Sequence, residues 1–159
     1  MSEKSYVEYC SSAGELLRVT ASDSGIRSIT FCRDKTVESP NDHTSEACTQ
    51  LEEYFSGVRR QFDLSLDPQG TAFQLQVWNA LQQIPYGSTC SYLDLALRVG
   101  DEKYTRAVGM ANGKNPIAIV IPCHRVIGSD GSLTGYAGGM HRKERLLEME
   151  GAIRQQKLF

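Results

Sequence analysis

Apolar and polar residues mix in short runs over the first 35 residues, a pattern typical of half-buried β-strands. These runs predict three strands, at residues 6–9, 16–20 and 26–31. Turn-forming residues at 13–15 and 22–25 separate the runs. The beginning of the chain is therefore expected to form a small sheet.

The pattern then becomes helical. A polar loop over residues 37–45 precedes a helix predicted from about Glu46 to Phe55, which Gly57 ends. Farther along, Thr71 can cap a second helix. Its apolar positions recur with a period near 3.6, at Phe73, Val77, Trp78, Leu81 and Ile84. We expect Trp78 to pack in the core of the fold.

Two shorter helices follow. One is predicted over residues 92–99 with Ser91 as its cap, and the next begins near Glu102 or Lys103 and ends near Asn112. A glycine and an aspartate form the turn between them. This pattern is typical of a helix-turn-helix motif and also of a plain αα-hairpin.

The remaining elements complete an α+β fold with two domains. The apolar run 117–121 predicts a buried strand, and the last helix is predicted from about Met140 to Glu150. The predicted organisation is an N-terminal α/β domain (1–65), a linker (66–70) and a mainly helical C-terminal domain (71–159).

Composition is that of a globular protein, with 40% hydrophobic and 23% charged residues. No stretch approaches the roughly 20 apolar residues of a membrane helix, and the first residues lack a signal-peptide core. A cytoplasmic protein, or a nuclear one in a eukaryote, is therefore expected, with no membrane partner. The net charge of -2 divides into -4 over residues 1–65 and +2 over 66–159, so phosphate contacts would need a local patch.

The chain has five cysteines, at positions 10, 32, 48, 90 and 123. Their odd number and wide spacing argue against a disulfide framework, and no Cys-x-x-Cys pair indicates a compact zinc site. Cys10, Cys32, His43 and Cys48 would have to meet in space to hold a metal, and we expect none.

Cys123 is the most informative of these residues. Pro122 ends the apolar run just before it, so the thiol is held where the chain leaves the core. The imidazole of His124 and the guanidinium of Arg125 can both favour a thiolate. Neighbours in an extended segment point to opposite faces, so His124 would need a turn or a bridging water to act as the base. The alternative is an inert core cysteine.

The helix predicted near residues 102–112 carries residues suited to nucleic acid. Side chains able to contact phosphate are Lys103, Thr105 and Lys114. Arg106 lies midway along the helix, and the small residues Ala107 and Gly109 let it approach either a packed helix or a DNA groove closely.

Two polar residues are ambiguous. Asn115 precedes a proline, so its amide either ties the helix end to the Cys123 loop or forms an ordinary Asx-turn. Glu150, in the last helical turn, is either solvated or orients His124 as the third group of a nucleophilic triad.

A set of motifs occurs in order along the chain. They are Thr71-Ala72-Phe73-Gln74, Val77-Trp78, Ile84-Pro85-Tyr86-Gly87, Ser91-Tyr92, Arg106-Ala107-Val108-Gly109, Asn115-Pro116, Pro122-Cys123-His124-Arg125-Val126 and Gly135-Tyr136-Ala137-Gly138-Gly139. In this combination the chain resembles the O6-alkylguanine-DNA alkyltransferases, also called methylated-DNA–protein-cysteine methyltransferases. The resemblance is dense from about residue 51 to 151.

The resemblance implies a ribonuclease-H-like N-terminal domain and a winged-helix-like C-terminal domain with a helix-turn-helix. Cys123 would be the nucleophile and alkyl acceptor. His124 would take the thiol proton through a water molecule, and Glu150 would hold His124. Asn115 would structure the loop, and Tyr92 would help to rotate the nucleotide and donate a hydrogen bond to guanine.

The resemblance also implies how DNA is held. The second helix of the motif would enter the minor groove, and Arg106 would fill the space left by the flipped base. Arg125 is placed among the DNA-contacting residues. The guanine pocket would be lined by Val126, Tyr136, Ala137 and Gly138, with alanine at 137 where the family often has serine.

The expected function is single-turnover repair of O6-alkylguanine in double-stranded DNA, with O4-alkylthymine left open as a second substrate. No cofactor is needed, and a monomer without an obligate protein partner is expected. Two alternatives differ in class. A lesion-binding module would not need Cys123, since relatives of that kind carry tryptophan there. A cysteine hydrolase would need a direct Cys123–His124 pair, which sequence adjacency makes awkward.

Overall fold

A computed structural model describes residues 4–153 of the 159-residue chain. Contacts divide the chain into two compact units. The first contains the residues up to 69 together with 116–120, and the second contains 70–115 and the residues from 121 onward.

The first unit begins with an antiparallel sheet of three strands in the order β1-β2-β3. The strands are β1 (Tyr6–Ser12), β2 (Glu15–Ala21) and β3 (Ile26–Cys32). Ala13 and Gly14 both have positive φ angles, of 53° and 79°, which suits a two-residue hairpin turn between β1 and β2. Alternate residues of β2 are buried, namely Leu17, Val19 and Ala21.

One helix, α1 (Asp42–Phe55), packs on β1 and β2. It starts four residues before the predicted position, so the prediction of a loop up to residue 45 is wrong. The cause is a capping box: the Asn41 side chain accepts from the Thr44 amide at 2.9 Å, and the Thr44 hydroxyl accepts from the Asn41 amide. The buried face of α1 carries Ala47, Leu51 and Tyr54.

The predicted strand 117–121 is wrong. Only Ile117 pairs, through a single parallel bridge to Ile29, and the chain then turns. Ile119 has a φ of 71°, an uncommon left-handed conformation for a β-branched residue. Ile117, Ile119 and Ile121 are nonetheless buried, so the apolar pattern of this run reflects burial in a turn and not a strand.

The second unit contains four helices and a two-stranded parallel sheet within its described residues. The helices are α2 (Ala72–Leu81), α3 (Tyr92–Val99), α4 (Thr105–Gly113) and α5 (Met140–Met149). The strands are β4 (Cys90–Ser91) and β5 (Val126–Ile127). A 3-10 turn, Glu102–Tyr104, opens the helix that the sequence predicted from residue 102 or 103.

Helices α3 and α4 are the pair that the sequence predicted as a helix-turn-helix or an αα-hairpin. Helix α4 packs on both α2 and α3. Trp78 is buried, as predicted, and its indole N–H donates to the Ala111 carbonyl of α4 at 2.8 Å. Capping boxes at Thr71 and Ser91 fix the starts of α2 and α3 where the sequence placed them.

The Asn41 cap yields a stability prediction. Replacing Asn41 with alanine should lower the free energy of unfolding by about 1 kcal/mol, because the Thr44 amide loses its acceptor. Urea denaturation followed by circular dichroism measures the change. The control Asn79→Ala alters an exposed position inside α2 and should not destabilise the protein. Equal stability of Asn41→Ala and wild type would contradict the capping argument.

Candidate active site

Cys123 begins a 3-10 helix, Cys123–Arg125, that leads directly into β5. Its amide donates to the Ile121 carbonyl at 2.8 Å, which closes a tight turn at Pro122. The side chain is buried, with 7% of the residue exposed. The turn that sequence adjacency required is therefore present, and the thiol sits on rigid backbone.

Two asparagines at the end of α4 hold the Cys123 segment. The Asn115 side chain donates to the Cys123 sulfur and, at 2.7 Å, to the Ile121 carbonyl. Of the two interpretations of Asn115, the structure thus favours the tie to the cysteine loop. Asn112 is also buried, and its amide donates to the Cys123 carbonyl at 3.4 Å. The sequence analysis gave Asn112 no role in the site and used it only as the approximate end of the helix.

The Cys123 thiol is not primed as a thiolate in the resting protein. Burial raises the pKa of Cys123, and the hydrogen bond from Asn115 and the charge of Lys143 oppose that rise only in part. The expectation that both flanking cations favour a thiolate is wrong. Burial lowers the pKa of His124, so its imidazole is neutral, and the Arg125 charge is compensated by Glu150.

Glu150 lies at the C-cap of α5 and is buried, so it is not the solvated carboxylate of the alternative interpretation. One oxygen contacts His124 Nε2 at 2.8 Å, and Arg125 Nε donates to the other at 2.8 Å. Burial alone would raise the pKa of Glu150, but the hydrogen bonds from His124 and Arg125 outweigh it and lower the pKa to about 2.

This contact fixes the tautomer of His124. An ionised carboxylate only accepts hydrogen bonds, so Nε2 carries the proton of the neutral ring and Nδ1 is the acceptor. Nδ1 is buried and has no hydrogen-bond partner among residues 4–153. The ring is therefore arranged as a base whose protonated form Glu150 would stabilise.

Arg125 does not lie on a DNA-contacting surface. It is 6% exposed, Nη1 donates to the Ile84 carbonyl at 2.7 Å, and Nη2 donates to Glu150 at 3.1 Å. The prediction that Arg125 contacts DNA is wrong, because its guanidinium is buried and its donors are used by Glu150 and the Ile84 carbonyl.

Lys143 is a site residue that the sequence analysis missed. It is fully buried, and Nζ donates to the carbonyls of Val126 and Thr134, both at 2.6 Å. Desolvation lowers the pKa of Lys143 to about 8, with the nearby Cys123 acting in the opposite direction. A signal was available, because position 143 falls on the apolar face of α5 with Leu146 and Leu147.

The residues predicted to line the guanine pocket fall on β5 and on the segment after it. Val126 is fully buried and Tyr136 nearly so, whereas Ala137 is exposed and Gly138 half-buried. The Tyr92 hydroxyl donates to the Thr134 carbonyl at 3.1 Å, the same oxygen that Lys143 binds. This shared carbonyl brings Tyr92 and Lys143 to the start of residues 134–138, which are called the pocket segment below.

The predicted DNA-contacting residues other than Arg125 and Tyr92 lie on α4 or next to its ends. Arg106, Lys103 and Lys114 are exposed, and Thr105 and Ala107 are half-buried. Gly109 faces the Tyr92 ring, and a Cβ atom added there would lie 3.7 Å from the ring, which is an ordinary van der Waals contact. Met110, 63% exposed on α4, was not among the predicted contacts.

No group of three or more histidine, cysteine or acidic side chains is placed to hold a metal ion in residues 4–153. Within that range no helix has the length and apolar character required to cross a membrane.

Two family models match the chain. The ribonuclease-like domain of 6-O-methylguanine DNA methyltransferase matches residues 6–68, and the DNA binding domain of the same family matches residues 72–152. A methylated-DNA–protein-cysteine methyltransferase of Methanosarcina acetivorans is 46% identical over 154 residues, which cover 92% of this chain and 98% of the relative. A methylated-DNA–protein-cysteine methyltransferase of Mycobacterium bovis is 57% identical over 106 residues, which cover 67% of this chain and 64% of the relative.

Solved structures share the fold. The crystal structure of Mycobacterium tuberculosis O6-methylguanine methyltransferase has a TM-score of 0.84 and 41% identity, covering 94% of both chains. Mycobacterium tuberculosis OGT in complex with DNA has a TM-score of 0.81 and 44% identity, covering 93% of this chain and 92% of that one. The predicted α+β fold with a ribonuclease-like first domain is confirmed.

Glu150 yields a pH-dependent prediction. Glu150→Gln should lower the free energy of unfolding at pH 7 by about 3–5 kcal/mol, because Arg125 stays buried without its counter-charge. The carboxylate's pKa falls from its ordinary 4.5 to about 2 on folding, so its stabilising effect is complete above pH 4.5. The difference between wild type and variant should therefore shrink as the pH falls from 4.5 toward 2.

Urea denaturation at pH 7, 4 and 3 measures this difference. Glu148→Gln, which removes a carboxylate from the same helix, is the matched control and should stay close to wild type at each pH. A difference for Glu150→Gln that is constant from pH 7 to pH 3 would contradict the ion-pair assignment.

Proposed function

The chain belongs to the 6-O-methylguanine DNA methyltransferase family, and we propose that Cys123 is the residue to which it transfers the alkyl group in DNA repair. The observation that supports this assignment is the position of Cys123 beside Asn115 and next to the buried His124–Glu150 pair. Of the other described cysteines, Cys90 lies on β4, and Cys10, Cys32 and Cys48 lie in the first unit.

The reaction starts from a neutral thiol. His124 accepts the Cys123 proton at Nδ1 through a water molecule, and the ionised Glu150 stabilises the imidazolium that forms. The thiolate attacks the alkyl carbon, so a carbon–sulfur bond forms while the carbon–O6 bond breaks. Guanine leaves with the electron pair and takes up a proton, for which the Tyr92 hydroxyl is a suitable donor.

Burial of the resting thiol suits a protein that acts once. A neutral, nearly inaccessible sulfur reacts slowly with other electrophiles, because the thiolate is the nucleophile. The product is a thioether, which offers no good leaving group, so Cys123 is consumed. Repair is then stoichiometric, and neither metal nor cofactor takes part.

Access to the lesion requires base flipping. The O6-alkyl group lies on the paired edge of guanine, and extruding the base costs a few kcal/mol. Helix α4 enters the minor groove with Lys103, Thr105 and Lys114 on phosphate, while Ala107 and Gly109 allow close approach. Arg106 occupies the vacated position in the stack.

The flipped guanine fits between Tyr92 and the segment that follows β5. Val126, Tyr136, Ala137 and Gly138 line this pocket. Lys143 holds the segment through the Val126 and Thr134 carbonyls, so the Tyr92 hydroxyl can turn from the Thr134 carbonyl to the guanine. Lys143 is thus a positioning residue, because its bonds go to the backbone of the pocket. O4-alkylthymine presents a similar alkyl group and is a candidate second substrate.

Double-stranded DNA is the partner, as the DNA-bound relative supports. The protein works as a monomer without an obligate protein partner, in the cytoplasm or, in a eukaryote, the nucleus. Residues 71–159 form the DNA-binding and transfer domain, with 1–65 as a separate N-terminal domain and 66–70 as the linker.

Labelling tests the assignment of Cys123. Duplex DNA that carries a single radiolabelled O6-methylguanine should transfer one methyl group per protein molecule, and peptide mass spectrometry should locate it on Cys123. Cys123→Ala should abolish transfer while keeping lesion binding, and Cys90→Ala, a second buried cysteine, is the control that should still react. Repeated turnover, or a methyl group on another residue, would refute the proposal.

The role of Arg106 is tested by comparing two substrates. Arg106→Ala should slow the repair of duplex DNA by about tenfold or more, because the extruded base loses the side chain that fills its place in the stack. A destabilisation of that state by ~1.4 kcal/mol corresponds to a factor of ten in rate. Its reaction with free O6-benzylguanine should be almost unchanged, because no base has to be extruded. Single-turnover rates measure both reactions.

Arg98→Ala is the matched control, since it removes an exposed arginine from α3 instead of α4. A loss in Arg98→Ala as large as that in Arg106→Ala would indicate a general effect of charge. Equal losses of Arg106→Ala on duplex DNA and on the free base would contradict insertion.

A further inference from the structure

A pair of thiols lies in the first unit, where β1 meets α1. Cys10 on β1 and Cys48 on α1 are hydrogen-bonded to each other, and both are partly exposed. Neither residue has a part in the proposed alkyl transfer. The thiols are thus in contact with each other and within reach of small solutes.

A second contact between β1 and α1 lies next to the two thiols. Glu8 precedes Cys10 by two residues on β1 and so shares its face of the sheet. The Glu8 carboxylate accepts hydrogen bonds from the hydroxyls of Thr44, at 3.0 Å, and Ser45, at 2.8 Å, about one helical turn before Cys48. Strand β1 and helix α1 therefore make two neighbouring contacts. The first is the Glu8 carboxylate with the two hydroxyls, and the second is the pair of thiols.

The two sulfurs differ chemically. Cys48 donates its thiol hydrogen to Cys10, which lowers the pKa of Cys10. The same hydrogen bond, together with burial and the charge of Glu8, raises the pKa of Cys48. One thiol of the pair can therefore ionise while the other stays protonated and donates to it, and in this arrangement Cys10 is the acceptor.

We propose that Cys10 and Cys48 form an oxidation site at which hydrogen peroxide produces a reversible intramolecular disulfide between β1 and α1. The Cys10 thiolate attacks one peroxide oxygen, the O–O bond breaks, hydroxide leaves, and the sulfur becomes a sulfenic acid. Cys48 then attacks that sulfur, and the departing hydroxyl group takes up a proton as water. In sum, two thiols and one peroxide give one disulfide and two waters, so both sulfurs are oxidised and the peroxide is reduced.

The sequence alone argued against a structural disulfide framework, and a reversible bond is compatible with that argument. Cys32, the third cysteine of the unit, contacts the Leu16 carbonyl at 3.7 Å. The disulfide would close the loop between positions 10 and 48 and restrict the unfolded chain, which raises thermal stability.

Peptide mapping of the full-length protein tests the proposal. The reduced protein is treated with hydrogen peroxide, remaining thiols are blocked, and the sample is digested without reductant. Trypsin places the three cysteines of the unit on separate peptides, residues 5–18, 28–33 and 36–59. We expect peptides 5–18 and 36–59 to be joined with the loss of two hydrogen atoms, in protein that stays monomeric, and dithiothreitol to separate them.

Variants provide the controls. Cys48→Ser should abolish the joined peptides, and Cys32→Ser, which removes a thiol from the same sheet, should leave their yield unchanged. Peroxide should raise the Tm of wild type and Cys32→Ser but not that of Cys48→Ser. The proposal is overturned if Cys10 proceeds to sulfinic acid without a cross-link, if Cys32 is the main partner, or if the bond joins two molecules.

Discussion

The buried carboxylate of Glu150 is the group on which the arrangement of the second unit's site depends. A single side chain neutralises Arg125 and holds His124 through its Nε2 atom. Both partners are buried, so removing the carboxylate would leave a charge without compensation and a ring without orientation. Because Arg125 also binds the Ile84 carbonyl, the same ion pair ties the end of α5 to the turn that follows α2.

This arrangement keeps Cys123 neutral until a substrate arrives. Sequence reasoning expected adjacent cations to activate the sulfur, but burial dominates and the cations are already engaged or neutral. In the proposed mechanism activation depends on His124 as the base, and its acceptor nitrogen has no partner among the described residues. A protein that reacts only once benefits from such a thiol, since a permanently ionised one would be lost to other electrophiles.

Local signals in the sequence predicted much of the fold. Capping residues such as Thr71 and Ser91 fixed helix starts correctly, because a cap acts on the amides of its own first turn. The start of α1 was missed although Asn41 and Thr44 form the same kind of signal. The run 117–121 was interpreted as a strand because a buried strand and a buried turn can have the same apolar sequence. Only the structure distinguishes the two.

The sequence by itself determined the family resemblance, the order of the motifs and most of the candidate site residues, since these follow from residue type and spacing. Only the tertiary structure decided which polar and charged side chains contact each other. It buried Arg125 against Glu150, placed Lys143 beneath the pocket segment and brought Cys10 to Cys48. Such pairs join positions far apart in the chain, and their charge states depend on burial and distance, which no local pattern records.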